Sequence, residues 1–490
     1  MIERSPVRHL SVRHISVRHL SVQYLSALAC ALALGGCMSF IPAYERPAAP
    51  VAAAYAPELM PVGAGGTAAA DIEWQRYFTD PRLKRLIEVA LQNNRDLRVA
   101  VLNIEQARAA YQVKRADELP TLGGGVTAQR QPGAKGSLVN TYAVGLQVTG
   151  YELDLFGRVR SLSQATLSQY LATEEARKTV QIALVAAVAN AYIGLLADDE
   201  TLRVTRDALA TRENSFKLTK LKFDHGVSSE LDFRQAEQLL AGARATLAQL
   251  QRQRLQDENA LVLLLGQSLP ADLPADLPAA LAMTAQQAGA DLPAGLPSEL
   301  LTRRPDVRAA EQQLLAANAN IGAARAAFFP RIALTANAGT ASGELSGLFK
   351  SGSFALTGTA TLLQPIFDAG RNQANLDVAK VNKEIAIAQY EKAIQSAFRE
   401  VADSLAGRTT LGEQLRALTA QTNAAQAAFK LADLRYRNGA SGYLEVLDAQ
   451  RALFAAQLAT VQVQTLQVQN GVTLYKVLGG GWTEPTVKPN

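Results

Sequence analysis

The chain has 490 residues, 48% of them hydrophobic, 19% charged and 6% aromatic, with a formal net charge of +5. His9, His14, His19, Cys30 and Cys37 all lie near the start, which leaves His225 as the one histidine and no cysteine in the rest of the chain. A zinc site built on His and Cys is excluded, Ser–His–Asp or Cys–His catalysis would have to run on His225, and the small charge excess gives no basis for nucleic-acid binding.

The first predicted element is a targeting segment over residues 1–36. Arg4, Arg8, Arg13 and Arg18, with Glu3 as the one acid, precede an apolar run from Leu25 to Leu34. That run is too short to cross a bilayer, which needs ~20 residues, and the basic-then-apolar order is that of a secretory signal peptide. Its exit, Leu34-Gly-Gly-Cys37, resembles a lipoprotein processing box. On that reading Cys37 becomes the acylated first residue of the mature chain; an ordinary cleavage site with an incidental cysteine is the alternative. Several acyl chains on one residue anchor stably where a single chain is marginal. Met38 stands where bacterial lipoproteins kept in the inner membrane tend to carry Asp, so by resemblance the outer membrane is expected. The triplet Val-Arg-His recurs at Val7, Val12 and Val17, in an unusually long leader that fits a translation start assigned too early.

Residues 37–80 read as a lipid-anchored N-terminal segment with a small-residue stretch at Gly63-Ala-Gly-Gly66, and 81–119 as a first helix. Residues 120–156 hold two strands. Tyr142, Val144, Leu146 and Val148 alternate with Ala143, Gly145, Gln147 and Thr149; Leu122–Gln129 is a weaker partner across the turn Gln131-Pro-Gly-Ala-Lys-Gly136. Residues 157–266 read as a long helical hairpin, since no proline occurs from 133 to 269 and proline costs ~3 kcal/mol inside a helix. The stretch from Arg158 to Lys222 would extend ~100 Å if helical throughout. Leu240, Ala243, Leu247 and Leu250 follow coiled-coil spacing. A proline-rich linker occupies 267–303, and a second helix 304–329. Two further strands are expected in 330–366, around Ile332–Ala338 and Phe354–Leu363, joined by Ala341-Ser-Gly-Glu-Leu-Ser-Gly347. A second proline-free hairpin fills 367–479, before a tail at 480–490.

The two hairpins repeat. A shift of 213 residues aligns Leu221–Gly266 with Leu434–Gly479 without a gap, with 13 of 46 positions identical. Gly226 and Gly439 fall where a helix should end in a left-handed residue, and Ser228 or Ser229, and Ser441, where the next helix needs a cap. The strands present small or polar residues on one face and apolar ones on the other, as membrane strands do. Four strands cannot close a barrel and an open edge is not viable in lipid, so other copies must complete it. A soluble β-sandwich is the alternative source of such alternation.

Several segments together resemble the TolC-like outer-membrane factors, of the NodT/OprM efflux-lipoprotein type. They are Cys37-Met-Ser-Phe-Ile-Pro-Ala-Tyr-Glu-Arg-Pro47, Leu301-Thr-Arg-Arg-Pro-Asp-Val-Arg-Ala-Ala-Glu311, Phe328-Phe-Pro330, Asp154-Leu-Phe-Gly-Arg158, Pro365-Ile-Phe-Asp-Ala-Gly-Arg371, Leu434-Arg-Tyr-Arg-Asn-Gly439 and Leu444-Glu-Val-Leu-Asp-Ala-Gln-Arg451. The resemblance implies a mixed α and β membrane protein built from two internal repeats. It further implies a homotrimer in which four strands per subunit form a twelve-stranded outer-membrane β-barrel, continued by a long periplasmic α-helical barrel. It also implies docking to a periplasmic membrane-fusion adaptor and, through it, an inner-membrane RND-type transporter. Outer-membrane lipid is the remaining partner; no nucleic acid and no cofactor beyond the lipid on Cys37 are expected.

The same resemblance assigns roles. Residues matching Leu444 and Asp448 narrow a closed periplasmic tip, and three copies stack an apolar ring on a carboxylate ring that favours cations. Glu445 maps onto Asp232 in the first half, so that layer carries six acids per trimer; Asp448 maps onto Gln235, so its layer carries three and is expected to set the narrowest charged ring. A solvated helix-face carboxylate is the other reading of Asp448. Tyr436 and Asp232 match a pair that ties neighbouring hairpins shut, with plain helix packing the other reading of Tyr436. Gly226, Ser228, Gly439 and Ser441 are the expected adaptor contacts, or simple helix stops, and His225 reads as a solvated turn residue.

No P-loop, HExxH or GxSxG element occurs, so no enzyme is expected. The leading function is a passive exit duct for drugs or other small toxic compounds in a tripartite efflux pump. A duct for type I protein secretion and a non-conducting periplasmic coiled-coil scaffold are the alternatives.

Overall fold

The computed structural model describes residues 39–59, 68–132, 136–270, 292 and 303–482. The signal peptide, Cys37, the Gly63–Gly66 stretch, nearly all of the proline-rich linker and the tail from 483 lie outside the described residues. Two compact units are present. One comprises the chain up to Tyr44, Ala110–Thr166 and Ala316–Lys383; the other comprises Glu45–Ala109, Leu167–Leu315 and Glu384–Asn490.

The first unit holds one antiparallel sheet in the order β1-β2-β3-β4, with β1 Leu122–Pro132, β2 Leu138–Leu153, β3 Arg331–Ser342 and β4 Phe354–Leu363. Its register separates two faces. Gly124, Leu146, Ala338 and Leu356 form one row across all four strands, and Val126, Val144, Thr340 and Phe354 the next. The row on the opposite face is Gly125, Gly145, Gly339 and Ala355, followed by Gly123, Gln147, Asn337 and Thr357. The first face is apolar and open: Val126 is 77% exposed and Leu356 73%. The second is polar or lacks side-chain bulk. Gly145 and Gly339 pair across β2 and β3 on this face. A Cβ on Gly145 would meet the Ala338 carbonyl oxygen, and one on Gly339 the Val144 carbonyl oxygen.

Both β1 and β2 run beyond the predicted alternation. In β2 the reason is a bulge: the register with β3 shifts between Val148 and Tyr151, and Gly150 takes φ +66°. The extra residue keeps Tyr151 and Leu153 opposite Leu334 and Ile332, and turns Glu152 to the other face beside Ala333. There Glu152 accepts hydrogen bonds from Arg158 at 2.7 Å and from Arg331 at 2.7 Å. The first described residues are fastened to this unit. The Phe40 ring stacks on Phe329 at 4.7 Å, Phe329 on Phe156 at 4.9 Å, and Asn318 donates to the Pro42 carbonyl at 2.8 Å.

The helices are α1 Trp74–Tyr77, α2 Pro81–Asn93, α3 Arg95–Ala116, α4 Arg158–Asp224, α5 Glu230–Leu265, α6 Pro305–Ala326, α7 Arg371–Arg437 and α8 Tyr443–Val477. The repeat shows in their lengths: α4 and α7 each have 67 residues, α5 has 36 and α8 has 35. Asp80 caps α2, with Pro81 at its first position, and accepts from Arg82 N–H at 2.8 Å. Its other oxygen accepts from the Tyr192 hydroxyl at 2.8 Å. Tyr77 and Tyr475 stack at 3.9 Å inside the helical unit, and the apolar stretch of α4 around Val188, Ala189 and Ile193 is buried.

The arginine-rich segment before α6 proves to be an anchor of the helical unit. Arg304, 7% exposed, donates to Asp306, to Glu400 at 2.8 Å and to the Val477 carbonyl at 3.1 Å. Arg303 reaches Asp71 at 2.9 Å.

Candidate functional site

The site with the most candidate residues is the pair of turns that ends the two hairpins, in the helical unit. Each first helix stops the same way. Gly226 N–H donates to the Phe223 carbonyl and Val227 N–H to that of Lys222; Gly439 and Ala440 make the same pair of bonds to Tyr436 and Arg435. The glycines take φ +72° and +74°, a region where any Cβ is strained, and both point into open space.

The restarts differ. Ser229 caps α5, accepting from Asp232 N–H at 3.1 Å, while Ser228 donates its hydroxyl to the Asp232 carboxylate at 3.1 Å. Ser441 does not cap α8. The cap position is Gly442, with no side-chain bond, and the buried Ser441 hydroxyl has no partner. The expectation of a Ser441 cap was one residue out of register, because α8 begins at Tyr443 and Ser441 stands one position before its cap.

Behind the turns the two hairpins share a core. Ala236 of α5 packs with Tyr436, Tyr443, Val446 and Leu447, and Phe216, Leu239 and Phe429 close around them. The Tyr436 and Tyr443 rings lie 5.3 Å apart, and Lys222 Nζ sits 3.9 Å from the centre of the Tyr436 ring. Gln450 donates to Ser215 Oγ at 3.0 Å, tying α8 to α4. Burial raises the Tyr443 hydroxyl above its ordinary range, so it stays a neutral phenol.

With Tyr443, Val446 and Leu447 turned inward, helical geometry turns Leu444, Glu445 and Asp448 outward. Leu444 is 56% exposed. Glu445 faces Arg435 at 3.8 Å, and Asp448 faces Arg451, one turn along α8, at 3.7 Å. Tyr436 and Asp232 share no hydrogen bond among the described residues of one chain. Tyr436 belongs to the aromatic core and Asp232 to its own serine turn. The sequence reading missed Tyr443, Lys222 and Gln450. Tyr443, Val446, Leu447 and Gln450 follow i, i+3, i+4, i+7 spacing, a signal that could have found the buried face.

In the strand unit, the polar face of the sheet forms a concavity of about 410 Å³ lined by Thr127, Gln147, Thr335, Asn337 and Thr357 with the small residues between them. No group of His, Cys, Asp or Glu among the described residues could hold a metal ion.

Comparison with known proteins gives a consistent result. The family model described as outer membrane efflux protein matches residues 86–267 and 296–480. The chain is 47% identical over 469 residues to the probable efflux pump outer membrane protein TtgC of Pseudomonas putida, covering 94% of this chain and 96% of that one. It is 46% identical over 470 residues to the outer membrane protein OprJ of Pseudomonas aeruginosa, covering 94% and 96%. The solved open state of the MtrE outer membrane channel of Neisseria gonorrhoeae superposes with a TM-score of 0.82 at 43% identity, covering 91% of this chain and 98% of that one.

Proposed function

Because the chain belongs to the outer membrane efflux protein family, we propose that it is the exit duct of a tripartite, RND-type efflux pump. It passively conducts drugs or other small toxic compounds delivered by an inner-membrane transporter through a periplasmic adaptor. The observation that carries this is the two-faced sheet. Large apolar side chains stand open on one face, small and polar ones line the other, and β1 and β4 each leave one edge unpaired. Lipid suits the first face and a water-filled lumen the second, and an unpaired edge is not tolerated in lipid. The β1 edge of one copy meets the β4 edge of the next, and three copies close a twelve-stranded barrel. The family description and the name of TtgC, an efflux pump outer membrane protein, favour small-molecule efflux over protein export.

Acylated Cys37 anchors the trimer, three residues before the Phe40 that is stacked on Phe329. The outward Leu444 and Asp448 form the narrow rings of the closed tip, with Glu445 and Asp232 adding a second acidic layer. In the trimer, Asp232 reaches Tyr436 of a neighbouring hairpin. Gly226, Ser228, Gly439 and Ser441 present the turns to the adaptor.

Single-channel conductance in planar bilayers tests the reading, with wild type beside Asp448→Ala and Leu444→Ala. A small, cation-preferring conductance that rises several-fold in both variants is expected. No conductance in any of the three proteins would refute a duct. A large wild-type conductance unmoved by either change would put the gate elsewhere.

A further inference from the structure

Arg212 of α4 is a buried cation without a counter-charge. It is 7% exposed, and among the described residues it makes no ion pair and no hydrogen bond; its neighbour is the Phe454 ring of α8, at 4.8 Å. Its guanidinium nitrogens keep contact with solvent, so the charge opens onto an adjoining cavity, and the planar fork of arginine suits carboxylate or phosphate. Burial, and next the nearby Arg451, lower its affinity for its proton.

The neighbouring charges are already matched. Asp207, which lines the same cavity, is held by Arg203 at 2.9 Å, and Asp448 faces Arg451 at 3.7 Å. Arg212 is left with one positive charge beside a cavity of about 220 Å³ between α4, α7 and α8. That volume corresponds to several waters at ~30 Å³ each, more than a halide ion fills. One part of the wall is polar, with Thr211, Gln426 and Gln457; the other is apolar, with Phe429, Leu453 and Phe454. Gln450, also in the wall and 6% exposed, spends its amide nitrogen on Ser215 and leaves its amide oxygen without a partner. Turning that amide over keeps the Ser215 contact, with the hydroxyl then donating, and offers an N–H₂ donor at the unpartnered end.

We propose that Arg212 and this cavity form a binding site for a small carboxylate with a short apolar tail. The planar guanidinium takes the carboxylate through two parallel hydrogen bonds, and the tail lies against Phe429, Leu453 and Phe454. The site is built from three helices of both hairpins, so an occupant fastens them together, and it stands independently of the duct reading.

Thermal unfolding of the purified full-length protein with benzoate, chloride or sulfate at matched ionic strength tests the site. Benzoate is expected to raise the midpoint by about 2–5 °C near saturation, and Arg212→Gln to abolish that shift. An equal shift with chloride or sulfate, no shift at all, or a benzoate shift that survives Arg212→Gln would overturn the proposal. Crystals of wild type soaked in para-bromobenzoate give a reading that needs no variant. An anomalous bromine peak in the cavity, with the carboxylate on Arg212, is expected. An empty cavity, or a carboxylate side chain of a neighbouring copy seated on Arg212, would overturn it.

Discussion

Arg451 Nη1 lies 3.7 Å from Asp448 Oδ1 on the outward face of α8, with 49% and 65% of the two side chains exposed. Each acid of the proposed gate ring therefore brings a partial counter-charge on its own helix. Removing the arginine should sharpen selectivity rather than unfold the tip, because exposed pairs of this kind contribute ~0–1 kcal/mol. Arg451→Ala is expected to raise cation preference about two- to five-fold in reversal-potential measurements, with a melting temperature within ~2 °C of wild type. Unchanged selectivity would remove Asp448 from the conducting path.

The Gly145–Gly339 pair leaves no room for side chains between β2 and β3. Gly145→Val is expected to block assembly of the sheet, seen as loss of the heat-modifiable oligomer on gels. Gly124 and Gly358 have nothing within 4 Å of an added Cβ. Gly124→Ala and Gly358→Ala should therefore assemble at wild-type levels. If Gly145→Val assembles as well as they do, the close approach of the two strands does not constrain the fold.

Arg304 is buried with Asp306, Glu400 and a backbone carbonyl as partners. Arg304→Ala leaves the Val477 carbonyl and the Glu400 carboxylate without this donor, while Asp306 keeps its bond from Val307 N–H; with Asp306 and Glu400 35% and 36% exposed, water takes up part of the loss and the cost is ~1–3 kcal/mol. Arg304→Lys should recover little, since a point ammonium cannot reproduce the guanidinium fork. Denaturant unfolding of the two variants checks both statements; a full rescue by lysine would show that charge alone matters there.

Asp198, on α4, has its carboxyl raised from 3.8 to about 7, by burial first and then by the neighbouring Asp257. The native state therefore holds this proton more tightly than the unfolded chain does. Between about pH 4 and pH 7 the native state binds more protons, so stability falls as pH rises, and the penalty is complete above pH 7. One carboxyl oxygen, Oδ2, is buried without a hydrogen-bond partner. Asp198→Asn should raise the melting temperature at pH 8 and leave it nearly unchanged at pH 4. Wild-type and variant curves that run parallel across that range would contradict the assignment.

Much of this was legible in the sequence for local reasons. Proline is costly in helices and glycine is the cheapest residue at positive φ, so the proline-free runs and the Gly226 and Gly439 stops marked the hairpins. Strict alternation marked the strands wherever every second side chain faces lipid. The alternation failed at Gly150 because a bulge depends on how β2 pairs with β3, which no stretch of β2 alone encodes. The Ser441 cap was misplaced for a related reason: capping depends on which residue the helix leaves outside its first turn, and two serines in one turn against one in the other blurred the boundary. The roles of Leu444, Asp448, Tyr436 and Asp232 came from resemblance, because the same residues on an isolated helix are ordinary surface groups.

The sequence by itself determined the elements, their order, the duplication and the membrane-like character of the strands, since these follow from intrinsic backbone preferences and periodic hydrophobicity. Only the tertiary structure decided that Arg304 is an anchor and Arg212 a charge without an anion. Whether a buried cation is satisfied depends on groups far away in the chain. Glu400 lies 96 residues from Arg304, and its carboxylate is 2.8 Å away. No carboxylate among the described residues makes the same approach to Arg212.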